Sequence, residues 1–270
     1  MQISHRHKFI NLANPKTAST STLRTQEDKN FILSYVDEPY SIENFIDQKD
    51  VNELIDIWEN SDNKEHKNTG VITSLITDFS SPVLHKIRDK IYFDLYPNIE
   101  IWCAMFFYTD KPHIIHMDDS MDSFLKIYKA FNLPLRARLR YQTFNNQVPD
   151  LMFFDQLYLD GPSKFFKGQN DNTHGHHEAL QFSKLPRSKC VYEYSNVINK
   201  STKPFDLDIK EKYLDHIRDR WLDELSFNSA HKWIPGNAII FDSCRLHCGS
   251  DFRKLGVTDK LGISIFTQHK

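Results

Sequence analysis

Apolar residues recur every three or four positions in two early stretches of the chain, and later they alternate or run on continuously. In the first stretch Asp50, with Glu53 three residues on, makes a capping-box signature ahead of Leu54, Ile55 and Trp58. In the second, Ser81-Pro82 opens a helix whose Leu84, Ile87 and Ile91 share one face. From Ile101 the texture changes to β-branched and aromatic runs punctuated by turn formers. These predict strands over Ile101–Thr109, Leu135–Phe144, Leu151–Tyr158, Cys190–Ile198, Ala238–Asp242 and Leu261–Thr267. The longest interval holds Ile209, Tyr213, Ile217, Trp221 and Leu225, spaced by four, which predicts one amphipathic helix inserted between strands. The expected organisation is a polar lead-in over 1–30, then one domain over 31–270. That domain has a helical buttress (41–95) and a β core (96–270) carrying an inserted loop and helix (160–230). Helices followed by strands of uneven spacing, with no internal repeat, imply a mainly β fold with flanking helices, of the jelly-roll or cupin type.

Composition narrows the partners more than the fold. The 270 residues are 40% hydrophobic and 26% charged with a formal net charge of -2, so no global field draws the chain to nucleic acid or an anionic membrane. Neither is expected as a partner. The cysteines Cys103, Cys190, Cys244 and Cys248 show no CxxC pairing, which suits a reducing compartment. The basic start is followed only by the short run Phe9 to Ala13, and no stretch approaches the roughly 18 apolar residues of a membrane span. A soluble, cytoplasmic protein is expected.

The candidate chemistry begins directly after the first strong strand, in Lys111-Pro112-His113-Ile114-Ile115-His116-Met117-Asp118. If this segment stays extended, His116 and Asp118 project to one side, because side chains alternate with period two. Much later, Pro235-Gly236 turns into the buried run Ala238–Asp242, and a loop then ends in His247-Cys248-Gly249. Two imidazoles and a carboxylate form a facial set that leaves coordination positions open for substrate and oxygen, as in non-haem iron(II) oxygenases.

This arrangement resembles the iron(II)- and 2-oxoglutarate-dependent dioxygenases, the broad group with phytanoyl-CoA-type and prolyl-hydroxylase-type members. The resemblance rests on His116-x-Asp118, on Gly236 to Asp242 leading to His247, and on Lys260 opening the last core strand, and it spans roughly residues 95–270. It implies a double-stranded β-helix, with Fe(II) held by His116, Asp118 and His247, and 2-oxoglutarate as co-substrate. Its distal carboxylate would pair with Lys260, or alternatively with Arg253. The implied reaction is hydroxylation of a C–H bond in a small-molecule or peptidyl substrate. The sequence distance from Asp118 to His247 is longer than in the compact prolyl-hydroxylase-like members, which implies insertions between core strands and makes 170–178 and the helix around Tyr213–Leu225 candidate lids. A non-catalytic cupin-like binding protein is the rival reading.

Other features carry less. Asp171 to Glu178 contains His174, His176 and His177 but reads as a polar loop, and Cys244 and Cys248 lack the partners of a zinc motif. Arg136, Arg138 and Arg140 alternate with apolar residues and share one strand face, either solvated or holding an anion inside the barrel. Residues 8–21, with Pro15-Lys16-Thr17-Ala18-Ser19-Thr20-Ser21, resemble the phosphosulfate-binding loop of sulfotransferases, but no doubly wound pattern follows.

Overall fold

The computed structural model describes residues 25–66, 71–113, 115–118, 127–140, 148–159 and 197–270. Helix α1 (Gln26–Leu33) opens it, running through the boundary near residue 30, capped by Thr25 with a reciprocal bond to Asp28. Strand β1 (Tyr40–Ile42) follows, then helix α2 (Gln48–Glu59). The cap of α2 is Asp47, whose carboxylate accepts from the Asp50 amide, so the helix starts earlier than the expected box at Asp50 and Glu53. Strands β2 (Lys64–His66) and β3 (Val71–Leu75) lead to helix α3 (Pro82–Asp89), which is capped by Ser81 with Pro82 in its first turn, as expected.

The strands that follow are β4 (Ile99–Thr109), β5 (Ile127–Leu139), β6 (Asp150–Tyr158) and the short β7 (Val197–Ile198). After helix α4 (Leu207–Tyr213) come β8 (Phe227–Lys232), β9 (Ala238–Asp242), β10 (Arg245–Gly249) and β11 (Val257–His269). The large sheet is seven-stranded in the order β1-β9-β5-β11-β4-β3-β2. The small sheet pairs β10 with β6, and β6 in turn with β7 and β8. His116 adds to its β10 edge through two amide bonds of 2.9 Å with His247.

From β4 onward the chain crosses repeatedly between the sheets. The central strands of the large sheet are β9-β5-β11-β4, and the small sheet runs from the His116 segment through β10 and β6 to β8. This antiparallel double winding is a jelly roll, the fold class expected from the sequence.

Both outer faces are covered. Val51, Leu54 and Trp58 of α2, with Val83, Leu84 and Ile87 of α3, are buried with Leu133, Leu135, Leu261 and Ile263 of the large sheet. Each such side chain contributes roughly 1.5–3 kcal/mol of hydrophobic stabilisation. Gly236 closes the turn before β9 with φ +87°, and a Cβ there would meet the Ile46 carbonyl at 2.8 Å. Leu214, Ile217, Trp221, Leu222 and Leu225 pack with Ile115, Met117, Leu246 and Cys248 on the outside of the small sheet.

That last packing corrects one expectation. The helix expected through Leu225 stops at Tyr213, whose carbonyl accepts from the Asp251 amide at 2.7 Å instead of from a following turn. The rest of the segment, including a short 3-10 turn at Asp219–Trp221, covers the back of the small sheet and is no lid. Among the described residues no helix is long and apolar enough to cross a membrane.

Candidate metal centre

Alternation decides which side chains meet. Ile115 and Met117 lie in the cluster behind the small sheet, together with Leu246 and Cys248. His116 and His247, one residue out of step with them, project to the opposite side, with ring centroids 4.1 Å apart. The expected loop carrying His247 is in fact strand β10, and its pairing with the His116 segment is what sets the two rings side by side.

Asp118 completes the group. Its Oδ1 lies 3.6 Å from His116 Nε2 and its Oδ2 lies 3.3 Å from His247 Nε2. One ligand atom from each of the three residues lies within 4.8 Å of the others. His247 Nδ1 is 2.9 Å from the Arg245 carbonyl, which can only accept, so this nitrogen carries the proton. In the neutral ring Nε2 then turns a lone pair toward a carboxylate oxygen. Two acceptors at that distance repel unless a proton or a cation lies between them. The donor set therefore suits a divalent cation, with the tautomer fixed by the carbonyl behind the ring.

His113 is the residue that sequence reasoning passed over. Its Nδ1 is 3.2 Å from His116 Nε2, and its backbone carbonyl accepts from the Gly249 amide at 2.9 Å. Burial pushes its pKa down to about 4, with the Asp118 charge pulling the other way. Its three-residue offset from His116 was the available signal, but a lone His-x-x-His has no meaning until the strand partner is known.

Lys260 enters from β11, between Thr109 of β4 and Ala137 of β5. It is 4% exposed, and its ammonium sits 4.2 Å from the Trp233 ring centroid. A Cβ placed on Gly249 would lie 3.7 Å from Lys260 Nζ and 3.4 Å from the His113 amide. The ammonium is thus beside the β10 residue two places beyond His247. Burial pushes its pKa down to about 8, with Asp150 partly holding it up. Among the described residues no acceptor is hydrogen-bonded to it.

The other candidates lie elsewhere. Arg253, the alternative cation, is exposed and donates to the Asp110 carbonyl at 3.1 Å. Arg136 pairs with Glu59 of α2 at 3.0 Å and Arg138 lies 3.7 Å from the same carboxylate, so both face the helical layer and not the barrel interior. Cys244 and Cys248 are buried in separate apolar clusters. The histidines 174, 176 and 177, the 8–21 loop and the candidate lid at 170–178 lie outside the described residues.

Neither a scan against protein-family models nor a search of curated proteins found a match. Solved structures do. HygX from Streptomyces hygroscopicus, crystallised with nickel and 2-oxoglutarate, is 11% identical at a TM-score of 0.46, covering 91% of this chain and 87% of its own. The epimerase SnoN from nogalamycin biosynthesis, described as non-haem and α-ketoglutarate-dependent, is 9% identical at 0.46, covering 90% and 83%. A Pseudomonas putida prolyl-4-hydroxylase is 9% identical at 0.44, covering 88% and 95%. At such identities the functional reading has to come from the site's own geometry.

Proposed function

We propose that this protein is an iron(II)- and 2-oxoglutarate-dependent oxygenase that hydroxylates a C–H bond of a small molecule or a side chain. The observation that carries the proposal is the meeting of His116, Asp118 and His247 beside the buried ammonium of Lys260. Two neutral imidazoles and one carboxylate are the donor set of a facial site with open positions. Iron(II) bound there would supply the oxygen chemistry, coupled to oxidative decarboxylation of 2-oxoglutarate to succinate.

The chain's own residues do the rest. Asp118 contributes one negative charge, so a bound divalent cation would keep a net positive charge that attracts an anionic co-substrate. Lys260 offers a cation to the far carboxylate of a dicarboxylic acid, and that buried carboxylate would be costly without it. Trp233, Phe107 and Phe153 line the interior between the sheets and keep it apolar. The Arg245 carbonyl keeps the proton on His247 Nδ1 and so leaves Nε2 free to ligate.

The test is succinate formation by purified protein given iron(II), 2-oxoglutarate and ascorbate. Slow uncoupled turnover is expected in the wild type and loss of at least a hundredfold in His116→Ala and Asp118→Ala. Equal turnover in all three would sink the assignment. A wild type that binds metal yet never yields succinate, with any of a broad panel of C–H substrates, would favour the cupin-like binding protein instead.

A further inference from the structure

The ligands Asp118 and His247 come from different segments, yet one turn touches both. The residues Asp242, Ser243, Cys244 and Arg245 join β9 to β10, and three of their carbonyls are committed in succession. The Ser243 carbonyl accepts from the Asp118 amide at 2.9 Å, and the Cys244 carbonyl accepts from the Tyr158 amide of β6 at 2.9 Å. The Arg245 carbonyl accepts from His247 Nδ1 at 2.9 Å. The turn therefore fixes the backbone of one ligand, the ring of another, and the sheet between them.

What fixes the turn is a buried charge network. Lys129, 1% exposed, donates to Asp242 Oδ1 at 2.7 Å and to Asp37 Oδ2 at 3.0 Å. It also donates to the Tyr35 carbonyl at 3.1 Å. Asp242 Oδ2 accepts from the Asp37 amide at 2.8 Å, and Arg245 Nη2 donates to the Asp37 carbonyl at 3.0 Å. The segment Tyr35–Glu38, just after α1, is thereby laid across the turn as a strap. An apolar pair would hold β5 to β9 at least as well, because a buried ion pair seldom stabilises more than a hydrophobic replacement of the same size. Directional bonds to a turn, by contrast, hold its carbonyls in one orientation.

We propose that Lys129, Asp242 and Arg245, together with the strap Tyr35–Glu38, are positioning residues of the metal centre, setting its affinity and geometry through the carbonyls of this turn. The inference rests on the metal site of the proposed function, so the experiment separates the two. Co(II) binding to the full chain is titrated by its visible absorption, alongside thermal unfolding of the metal-free protein. The variant Lys129→Met/Asp242→Leu removes both charges, leaving neither buried alone. Leu54→Ala, on the buried face of α2, serves as a control destabilised away from the site.

The double variant is expected to bind Co(II) at least tenfold more weakly, with an altered d–d spectrum, as is usual when groups behind the ligands are changed. Leu54→Ala should keep the wild-type affinity and spectrum. Wild-type affinity and spectrum in the double variant would overturn the inference and leave the functional proposal intact, whereas a wild type that takes up no Co(II) would overturn both. Should the double variant not fold, Asp37→Ala reads the same link at a largely exposed side chain. A threefold or greater loss of affinity is expected there, and none would overturn the inference.

Discussion

An ammonium in an apolar interior needs a reason. Lys260 is buried against Trp233 and Phe252, and those ring faces return only part of the lost hydration. The displacement of its pKa from 10.5 to about 8 corresponds to roughly 3 kcal/mol lost from the folded, ligand-free state. The unfolded chain keeps the ordinary value, so between about pH 8 and 10.5 it binds more protons than the folded chain. This group's contribution to stability therefore rises with pH across that window, and the full cost stands below it. Lys260→Met should accordingly raise the urea-unfolding free energy of the ligand-free protein at pH 7 by about 1–3 kcal/mol while abolishing stabilisation by 2-oxoglutarate. A destabilised variant would mean that the ammonium already has its partner. The same displacement sets a pH profile. Calorimetric affinity for 2-oxoglutarate, measured with manganese bound, should be flat below about pH 8 and fall about tenfold per unit above it, since the neutral amine cannot pair with a carboxylate. A flat profile to pH 9.5 would remove Lys260 as the partner.

The strand that carries Lys260 also carries the glycine that makes room for its platform. A Cβ on Gly262 would lie 2.6 Å from Trp233 Cζ2 and 3.0 Å from the Leu133 carbonyl. The backbone oxygen cannot yield, so the indole must move. Gly262→Ala is expected to cost about 1–3 kcal/mol in a urea titration. It should also weaken 2-oxoglutarate binding more than metal binding, because the displaced ring lies under the ammonium and not under the triad. Equal losses of the two affinities would contradict that layout. The element scale is also where the sequence was hardest to read. Ala238–Asp242 and the Ser81 cap were legible because a continuous apolar run behind a Pro-Gly turn and a helix cap are both local signals. Strand β10 was not, since Arg245 to Gly249 is too short and too polar to read as a strand without its partners β6 and the His116 segment. The fourfold spacing through Leu225 implied one helix, but the Asp251 amide takes the Tyr213 carbonyl and the apolar residues reach the small sheet from turns instead. The arginines of β5 do alternate as expected, and it is Glu59 of a separate helix that decides which way Arg136 and Arg138 face.

At the scale of the molecule, the jelly-roll winding turns residues far apart in sequence into neighbours. The chain leaves the large sheet after β4, places His116 and Asp118 on the small sheet's edge, and comes back beside them only at β10. The triad was legible without this topology only because the residue types limit the partners a His-x-Asp can have; the reach of His113 and the role of the strap were not. A metal bound to the triad would tie the His116 segment to β10 and so act on the whole fold. At a free metal concentration a hundredfold above Kd, binding confined to the folded state adds about 2.7 kcal/mol, or roughly 5–10 °C in Tm for a chain of this length. Asp118→Asn separates this gain from ordinary packing. Its amide can donate to His247 Nε2, relieving the two facing acceptors that now stand 3.3 Å apart. Differential scanning calorimetry with and without Mn(II) should show the Asn variant melting at or above the wild type when metal-free and failing to shift when metal is added. If Asp118→Asn lowers the metal-free Tm instead, a proton already bridges Asp118 and His247, and the carboxylate is there to hold the two segments together.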